Sequence, residues 1–353
     1  LSRGFPYTTK DFWPPLFELW WTANPAYRDE FPRGWVLEND TSIVGFIGNI
    51  PVHFLVRGVV KTAALSNSWY VDPQVRGIFS IRLFNEFIRQ KGAELLLFKK
   101  DDESLMGLLY NYKFSECILP WNQKEYVYIS DRKKVQFIFF EFLLKSKIPQ
   151  LSEFPAVFKK ARSLLSAYLF QKPVLRKDGI HHEYISSLCT VCDETFCKIW
   201  EQNLKSCDAF MCRDAQTLNW LYFSSARMYK RVVIQCHHTH NKTLAGYMVF
   251  DIIRIQPSDE GIMKLVDMCV PDSDPRVLAS LTSFAVGTGK QHTCPLMIVW
   301  ADNQETENYF RRTFTMSMQR KYYRYVKFSD YHGTSPDGND HATVCLPMIY
   351  PPQ

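Results

Sequence analysis

The stretch Trp69–Gln90 reads WYVDPQVRGIFSIRLFNEFIRQ, and it joins a predicted strand to a predicted helix through a short turn. From Ile78 onward the apolar residues recur at helical spacing. The turn contains Gln74, Arg76 and Gly77. Glycine allows a close approach of the backbone to a ligand, and the first amides of a helix are free donors. We therefore predict that this turn holds a diphosphate group.

The composition of the chain indicates a globular protein with two domains. It has 353 residues, of which 46% are apolar and 22% charged, a balance typical of packed rather than disordered chains. The net charge of +6 suits an anionic small molecule and does not demand nucleic acid. The start, LSRGFPYTTK, lacks the apolar region of a signal peptide, and no apolar run is long enough to cross a membrane. We predict a cytoplasmic protein.

The ten cysteines are predicted to be buried thiols rather than metal ligands. Structural zinc sites take two short-spaced pairs of ligands, but this chain has a single CxxC, Cys189–Cys192, at the start of a helical pattern. The run of histidines from His237 to His240 is typical of the polar end of a strand. No metal is expected.

The order of predicted elements is similar in the two halves of the chain. The first half contains strands at 34–38, 42–49, 52–57, 64–71, 94–98 and 125–129, and helices at 78–91 and 104–112. The second contains helices at 195–204, 215–223, 276–286 and 305–312, and strands at 231–235, 245–255, 262–270, 295–300 and 320–328. Each half is typical of one mixed sheet with helices on its faces, which indicates an internal duplication.

We predict an α/β (α+β) protein of two mixed-sheet domains with flanking helices. The expected divisions are a first domain at 1–130, a helical connector at 131–182, a second domain at 183–330 and a tail at 331–353. The connector alternates apolar and basic clusters, which favours a clamp between the domains. Attachment to an anionic membrane surface is the alternative.

The segment from Trp69 to Ser80 resembles motif A of the GNAT superfamily of acyl-CoA-dependent N-acyltransferases. Gln74 and Gly77 match its pattern of Gln or Arg, two residues, Gly, one residue, then Gly or Ala, whereas Phe79 replaces the last small residue. The form RGIFS is two residues shorter than the RGKGIFS of many members. The resemblance implies that acetyl-CoA or another acyl-CoA is bound by Trp69, Tyr70, Val71, Gln74, Val75, Arg76, Gly77, Ile78, Phe79 and Ser80.

The resemblance covers roughly residues 13–130. Leu108–Phe114 stands where the family has a helix ending in lYeklGF; Phe114 matches, Lys113 replaces the glycine and Leu109 replaces the tyrosine. In the second half, the corresponding turn at 270–275 is acidic and has no glycine. Its aspartates would repel a phosphate. We therefore expect a tandem GNAT-like chain in which at most the first half binds acyl-CoA.

The resemblance also implies a set of catalytic candidates. A backbone N–H near Trp69 or Tyr70 would bind the oxyanion, and Tyr110, one residue after the family position, would protonate the leaving thiolate. The strand itself carries no acid, so Glu38 and His53 on neighbouring strands are the candidate bases. The alternatives are a solvated strand end for Glu38, a structural histidine for His53 and a packed helix residue for Tyr110.

The first hypothesis is an acyl-CoA-dependent N-acyltransferase that transfers an acetyl group to a small amine, such as an amino sugar or amino acid. The second is a non-catalytic tandem GNAT-like protein that binds a ligand or partner. A third, an aminoacyl-tRNA-dependent transferase, is disfavoured because the chain shows no clear basic stripe. The sequence leaves the acceptor, the acyl chain, the oligomeric state and the pathway open.

Overall fold

The computed structural model describes residues 5, 9–100, 105–116, 124–131, 133–135, 182–203, 209–224, 230–254, 259–301, 303–314, 316–319, 323–328 and 344–345. The chain divides into two compact units, each discontinuous in sequence. The first unit comprises Leu1–Ile118, Val191–Met228 and Lys321–Gln353, and the second comprises Leu119–Thr190 and Tyr229–Arg320.

The described helices are α1 Trp13–Phe17, α2 Ile78–Ile88, α3 Met106–Asn111, α4 Glu194–Asn203, α5 Ala215–Tyr222, α6 Pro275–Gln291 and α7 Gln304–Thr313. The described strands are β1 Gly34–Glu38, β2 Ile43–Val56, β3 Val59–Val71, β4 Leu95–Lys100, β5 Ser115–Glu116, β6 Lys124–Ile129, β7 Tyr184–Cys189, β8 Ala209–Met211, β9 Lys230–His238, β10 Leu244–Arg254, β11 Gly261–Cys269, β12 Leu296–Trp300, β13 Met316–Gln319, β14 Tyr323–Phe328 and β15 Val344–Cys345. A π-helical segment, Glu18–Thr22, follows α1.

The sheet of the first unit has the strand order β15-β8-β2-β3-β4-β14-β5, with β1 also paired to β2. The predicted strands at 42–49 and 52–57 form the single strand β2, which runs through Pro51. Proline has no N–H for a ladder. On the edge of β2 away from β3, Pro51 lies between the residues that pair with β1 and those that pair with β8. The Nδ2 of Asn24 satisfies its carbonyl, so β2 can continue.

The sheet of the second unit has the order β13-β6-β12-β11-β10-β9-β7. In both units a long antiparallel pair leads into a crossover helix and a parallel strand, β3–α2–β4 in the first and β11–α6–β12 in the second. Two mixed sheets with flanking helices confirm the predicted fold class.

Two strands belong to the unit opposite to the one that their position in the chain suggests. β6, predicted within the domain at 1–130, pairs with β12 and β13 of the second unit. β14, predicted within the domain at 183–330, pairs with β4 and β5 of the first. The units therefore differ from the contiguous domains that we expected. Local sequence does not select the partner, because backbone hydrogen bonds are the same for any strand of suitable pattern.

The core of the first unit lies beneath α2. This helix buries Leu83, Phe84 and Phe87 against the sheet, as the helical spacing predicts. It ends at Ile88, three residues before the predicted end at 91. The buried cluster comprises Phe31, Ile47, Ala64, Val71, Leu83, Phe84, Phe87, Ala93, Leu96, Phe98, Leu109 and Phe114.

The predicted connector lies outside the described residues except at 131, 133–135 and 182, and so do its apolar clusters at 137–144 and 158–169. Of the predicted tail, Val344–Cys345 is described and pairs with β8. Among the helices of the described residues, none has the length and apolar character needed to cross a membrane.

Candidate active site

Among the described residues of the first sheet, the ladder between β3 and β4 ends before β3 does. Their parallel ladder extends from the pair Ala63–Leu95 to the pair Leu65–Leu97. β3 then continues to Val71, while β4 stays paired with β14 on its other side. Over the described residues, the segment from Ser66 to Val71 has no ladder partner on β4. We call the space between this segment and the end of β4 the strand cleft.

A β-bulge lies at the edge of the strand cleft. Gly48 pairs with Asn67 and Phe46 pairs with Tyr70, so one residue of β2 faces both Ser68 and Trp69 on β3. Ser68 has a φ of +52°, which places this non-glycine residue in the left-handed region. A bulge leaves an extra residue unpaired and re-aims the backbone around it.

The alternation of the strand determines which amides face the strand cleft. The N–H of Asp72 donates to the carbonyl of Val44 on β2 at 2.8 Å, so the N–H of Tyr70, two residues earlier, also faces β2. By the same alternation the N–H of Val71 faces the strand cleft, and we infer that the N–H of Trp69, next to Tyr70 in the bulge, does so as well. Of the two amides predicted as oxyanion donors, this geometry favours Trp69 over Tyr70.

The turn after β3 is ordered by its own side chains. The carboxylate of Asp72 accepts a hydrogen bond from the N–H of Gln74 at 3.2 Å, and a 3-10 turn follows at Pro73–Val75. The Nε of Arg76 donates to the carbonyl of Val71 at 2.9 Å. This contact holds the guanidinium beside the strand cleft, where it adds positive charge.

No side chain of the described residues caps the N-terminus of α2. Its N-cap is Gly77, which has φ +92° and no side-chain cap, and the first turn contains no acidic residue. A Cβ at Gly77 would meet nothing within 4 Å, so only the backbone conformation demands glycine here. Phe79, the side chain able to cover the turn, is 40% exposed. The amides of Ile78 and Phe79 lie in the first turn, where no helical carbonyl is available to them.

Glu38 lies at the exposed end of β1, where it pairs with Ile43. This places it level with Pro73 and two strands away from β3, a lateral distance of about 10 Å between backbones. A carboxylate at this distance reaches the strand cleft only through water.

His53 does not lie at the strand cleft. It pairs with Thr62, six residues along β2 from the bulge, which corresponds to about 20 Å of extended chain. Its Nδ1 is buried and has no hydrogen-bond partner among the described residues. Burial and, secondarily, the charge of Arg28 lower the pKa of His53, with Asp214 acting in the opposite direction. Burial and the Arg28 charge both favour the neutral form of the ring.

Tyr110 lies on the exposed side of α3, with 47% of its surface accessible, whereas Leu109 is completely buried. Nearby, the hydroxyl of Tyr112 donates to Oδ1 of Asn85 on α2 at 2.7 Å. Tyr112, the residue after α3, thus directs its hydroxyl towards α2. The sequence did not single it out, although it lies two residues before the matching Phe114.

Lys113, which replaces the family glycine, keeps the backbone conformation that glycine favours. Its φ is +62°, its N–H donates to the carbonyl of Tyr110, and the next amide, of Phe114, donates to Leu109. The end of α3 is therefore closed as in a glycine-terminated helix, at a modest cost in backbone strain.

The bulge is a second feature that was not predicted from the sequence. Its signal is the polar run Ser66-Asn67-Ser68 between the apolar residues 63–65 and 69–71 of β3. Ser66 is buried, and the hydroxyl of Ser68 donates to the side chain of Asn67 at 3.2 Å. Polar side chains that bond to one another locally are typical of interrupted strands.

The second unit repeats this backbone. The ladder between β11 and β12 ends at the pair Lys264–Ile298, and a bulge follows at Val266. There Nε1 of Trp300 donates to the carbonyl of Leu265 at 3.0 Å. In the described residues of either unit, no group of three or more His, Cys, Asp or Glu could hold a metal ion.

The corresponding helix of the second unit is capped by a side chain. The carboxylate of Asp274, its N-cap, accepts from the N–H of Arg276 at 2.8 Å. The same carboxylate forms an ion pair with the Arg276 guanidinium and accepts from the Tyr184 hydroxyl. A negative charge of the protein thus occupies the place that α2 leaves open.

The sequence matches no protein-family model and no curated protein sequence. Solved structures do resemble the fold. N-myristoyltransferase of Saccharomyces cerevisiae with bound myristoyl-CoA is 12% identical, with a TM-score of 0.53, over 91% of this chain and 74% of that chain. The same enzyme with myristoyl-CoA and inhibitors is 13% identical, with a TM-score of 0.52, over 91% and 72%. A conserved protein from Enterococcus faecalis V583, described as a probable N-acyltransferase, is 11% identical, with a TM-score of 0.55, over 93% and 68%. These likenesses confirm the predicted GNAT-like fold of this chain.

Proposed function

We propose that the protein is an acyl-CoA-dependent N-acyltransferase that transfers an acetyl group from acetyl-CoA to a small amine, such as an amino sugar or amino acid. The observation that carries the proposal is the continuity of β3, the turn and α2. An amide facing the strand cleft and an uncapped helix N-terminus lie on one short segment, Trp69–Phe79. This arrangement suits a thioester at one end and a diphosphate at the other.

In the proposed reaction the neutral amine attacks the carbonyl carbon of the thioester. A C–N bond forms, the C–S bond breaks, and the oxygen of the tetrahedral intermediate accepts a hydrogen bond from the N–H of Trp69. The amine nitrogen releases one proton and the departing thiolate takes up one, so that the products are an amide and CoA with a free thiol.

The diphosphate of CoA would accept hydrogen bonds from the amides at the start of α2, with Arg76 supplying charge at the rim. We keep Glu38 as the proposed base, acting through water, and Tyr110 as the proposed acid. We assign no catalytic role to His53, because it lies about 20 Å along β2 from the bulge.

The proposal is tested by melting the protein with and without acetyl-CoA. At a concentration a hundredfold above the dissociation constant, binding stabilises the native state by about 2.7 kcal/mol. We expect Gly77→Val to lose this stabilisation, because a branched side chain cannot adopt φ +92° and the turn must move.

Gly58→Val is the matched control. Gly58 also has a positive φ, +81°, and free space around it, but it lies in the turn between β2 and β3. It should cost similar backbone strain and leave the response to acetyl-CoA intact. A wild-type protein whose melting does not respond to acetyl-CoA or CoA would refute the proposal.

A non-catalytic binding protein is the second candidate function. It is favoured by the positions of the predicted catalytic side chains, because His53 is remote and Tyr110 is 47% exposed. Release of the CoA thiol in the presence of a panel of amines separates the two. Stabilisation by acetyl-CoA without thiol release would support the binding protein.

A further inference from the structure

The indole of Trp69 spans the strand cleft on the side of α2. Its ring stacks on Phe84 of α2, with centroids 5.2 Å apart and planes at 14°. It also meets Phe98 of β4 edge to face, at 5.7 Å and 90°. Phe84 and Phe98 are buried, whereas Trp69 is partly exposed. One side chain of the bulge thus bridges the separated strands.

The surroundings hold this indole in place. Phe84 is packed by four further rings, those of Phe87, Phe98, Tyr112 and Phe114. The hydroxyl of Tyr112 is in turn bonded to Asn85. Moving the indole towards α2 would therefore displace a packed aromatic cluster, and protein cores resist such overpacking.

We propose that the indole of Trp69 limits the acyl group of the donor to a short chain. The inference rests on the proposed function. The amide proposed to bind the thioester oxygen and the indole belong to the same residue, so the first carbons of the acyl group would lie against this ring. An acetyl group fits beside it. Each further methylene has to enter the space that the indole fills.

The experiment measures the dissociation constants of acetyl-CoA, butyryl-CoA and octanoyl-CoA by calorimetry. For the wild-type protein we expect octanoyl-CoA to bind at least about tenfold more weakly than acetyl-CoA. In Trp69→Ala the space beside Phe84 and Phe98 opens. Burial of the added methylenes there should raise the affinity for octanoyl-CoA relative to acetyl-CoA by about tenfold or more.

Trp35→Ala is the matched control, because Trp35 also packs edge to face on a phenylalanine of α2, Phe87, but from β1. It should loosen the same core without changing the preference between chain lengths. Trp69→Phe, which keeps a stacked ring, serves if the alanine variant does not fold, and it should shift the preference less.

Two results would overturn the inference. One is a wild-type protein that binds octanoyl-CoA as tightly as acetyl-CoA. The other is the same chain-length profile in the Trp69 and Trp35 variants. A wild-type protein that binds none of the thioesters and no CoA would instead overturn the proposed function, so the two failures are distinguishable.

Discussion

Both units contain the same strand–turn–helix arrangement, but the N-terminus of the helix is capped differently in the two. In the first unit, α2 starts from Gly77 with no side-chain cap, while in the second, α6 starts from Asp274, whose carboxylate bonds to its own helix. Within the part of the chain that the structure describes, no carboxylate caps the first helix, which can attract an anion, whereas the second already carries a carboxylate. A shared backbone therefore does not imply a shared ligand.

The two units also differ at the place where their parallel strands stop pairing, after the ladder of β3 and β4 and after that of β11 and β12. Leu97 of β4 and Ile298 of β12 occupy matching ladder positions, so Lys99 in the first unit corresponds to Trp300 in the second. Trp300 is buried and donates its indole N–H to a carbonyl exposed by the separation of the strands. A single aromatic side chain thus satisfies in the second unit a backbone group that would otherwise be available to a ligand.

The largest effect is expected when the cap of the second unit is placed in the first. Gly77→Asp introduces a carboxylate at the N-cap of α2, where the diphosphate is proposed to bind. We expect the affinity for acetyl-CoA to fall by about a hundredfold or more, because the new charge competes for the same amides and repels the phosphates. Calorimetry of acetyl-CoA binding measures the change.

Gly77→Ala separates charge from strain. It has the same unfavourable φ of +92° without a carboxylate, so it should weaken binding less than the aspartate does. If both variants lose the same affinity for acetyl-CoA, backbone strain alone is responsible. The charge of the cap then has no effect on binding.

A smaller effect is expected when the aromatic side chain of the second unit is altered. Trp300→Phe keeps a ring but removes the N–H that bonds to the carbonyl of Leu265. A buried carbonyl left without its partner costs about 1–3 kcal/mol of the free energy of unfolding. Denaturant melts should show this loss, whereas the affinity for acetyl-CoA should be unchanged. Weaker acetyl-CoA binding in this variant would place a ligand contact in the second unit.

The smallest effect concerns the pH dependence of the first unit. Because burial and Arg28 lower the pKa of His53, the native state binds its proton less readily than the unfolded state does. This contribution to stability is complete above the unfolded pKa of about 6.5 and is lost as the pH falls through the native pKa.

His53→Gln should therefore flatten part of the decrease in melting temperature between neutral pH and pH 5. Thermal melts across this range measure it, and the response to acetyl-CoA at neutral pH should be unaffected, because His53 lies far from the strand cleft. If the melting temperature of the variant falls with pH as steeply as that of the wild type, His53 does not contribute to the pH dependence of stability.

Much of the first unit could be predicted locally. The hairpin at Asn39, the helix from Ile78 and the turn around Gly77 follow from residue types whose conformational preferences act within a few positions. The end of α2 was placed three residues late, because Arg89 and Gln90 continue a helical composition although the helix stops before Gly92.

The candidate site was predictable only in part. The turn was identified because glycine and the start of a helix carry their chemistry in the local chain. The bulge at Ser68 and the direction of the Trp69 N–H were not predicted. Both depend on how β3 pairs with β2 and separates from β4. His53 illustrates the same limit. It is on a neighbouring strand, as expected, but its position along β2 relative to the bulge is set by the strand register.

The sequence by itself determined the mixed-sheet architecture, its duplication and the open turn before α2, because hydrophobic period, glycine and helix starts act over short distances. The tertiary structure alone decided that β6 and β14 join the opposite units, that Trp300 closes one opening and that Trp69 bridges the other. These features depend on which strands and rings meet across the fold. Backbone hydrogen bonds and aromatic contacts are available to many partners, and packing selects among them.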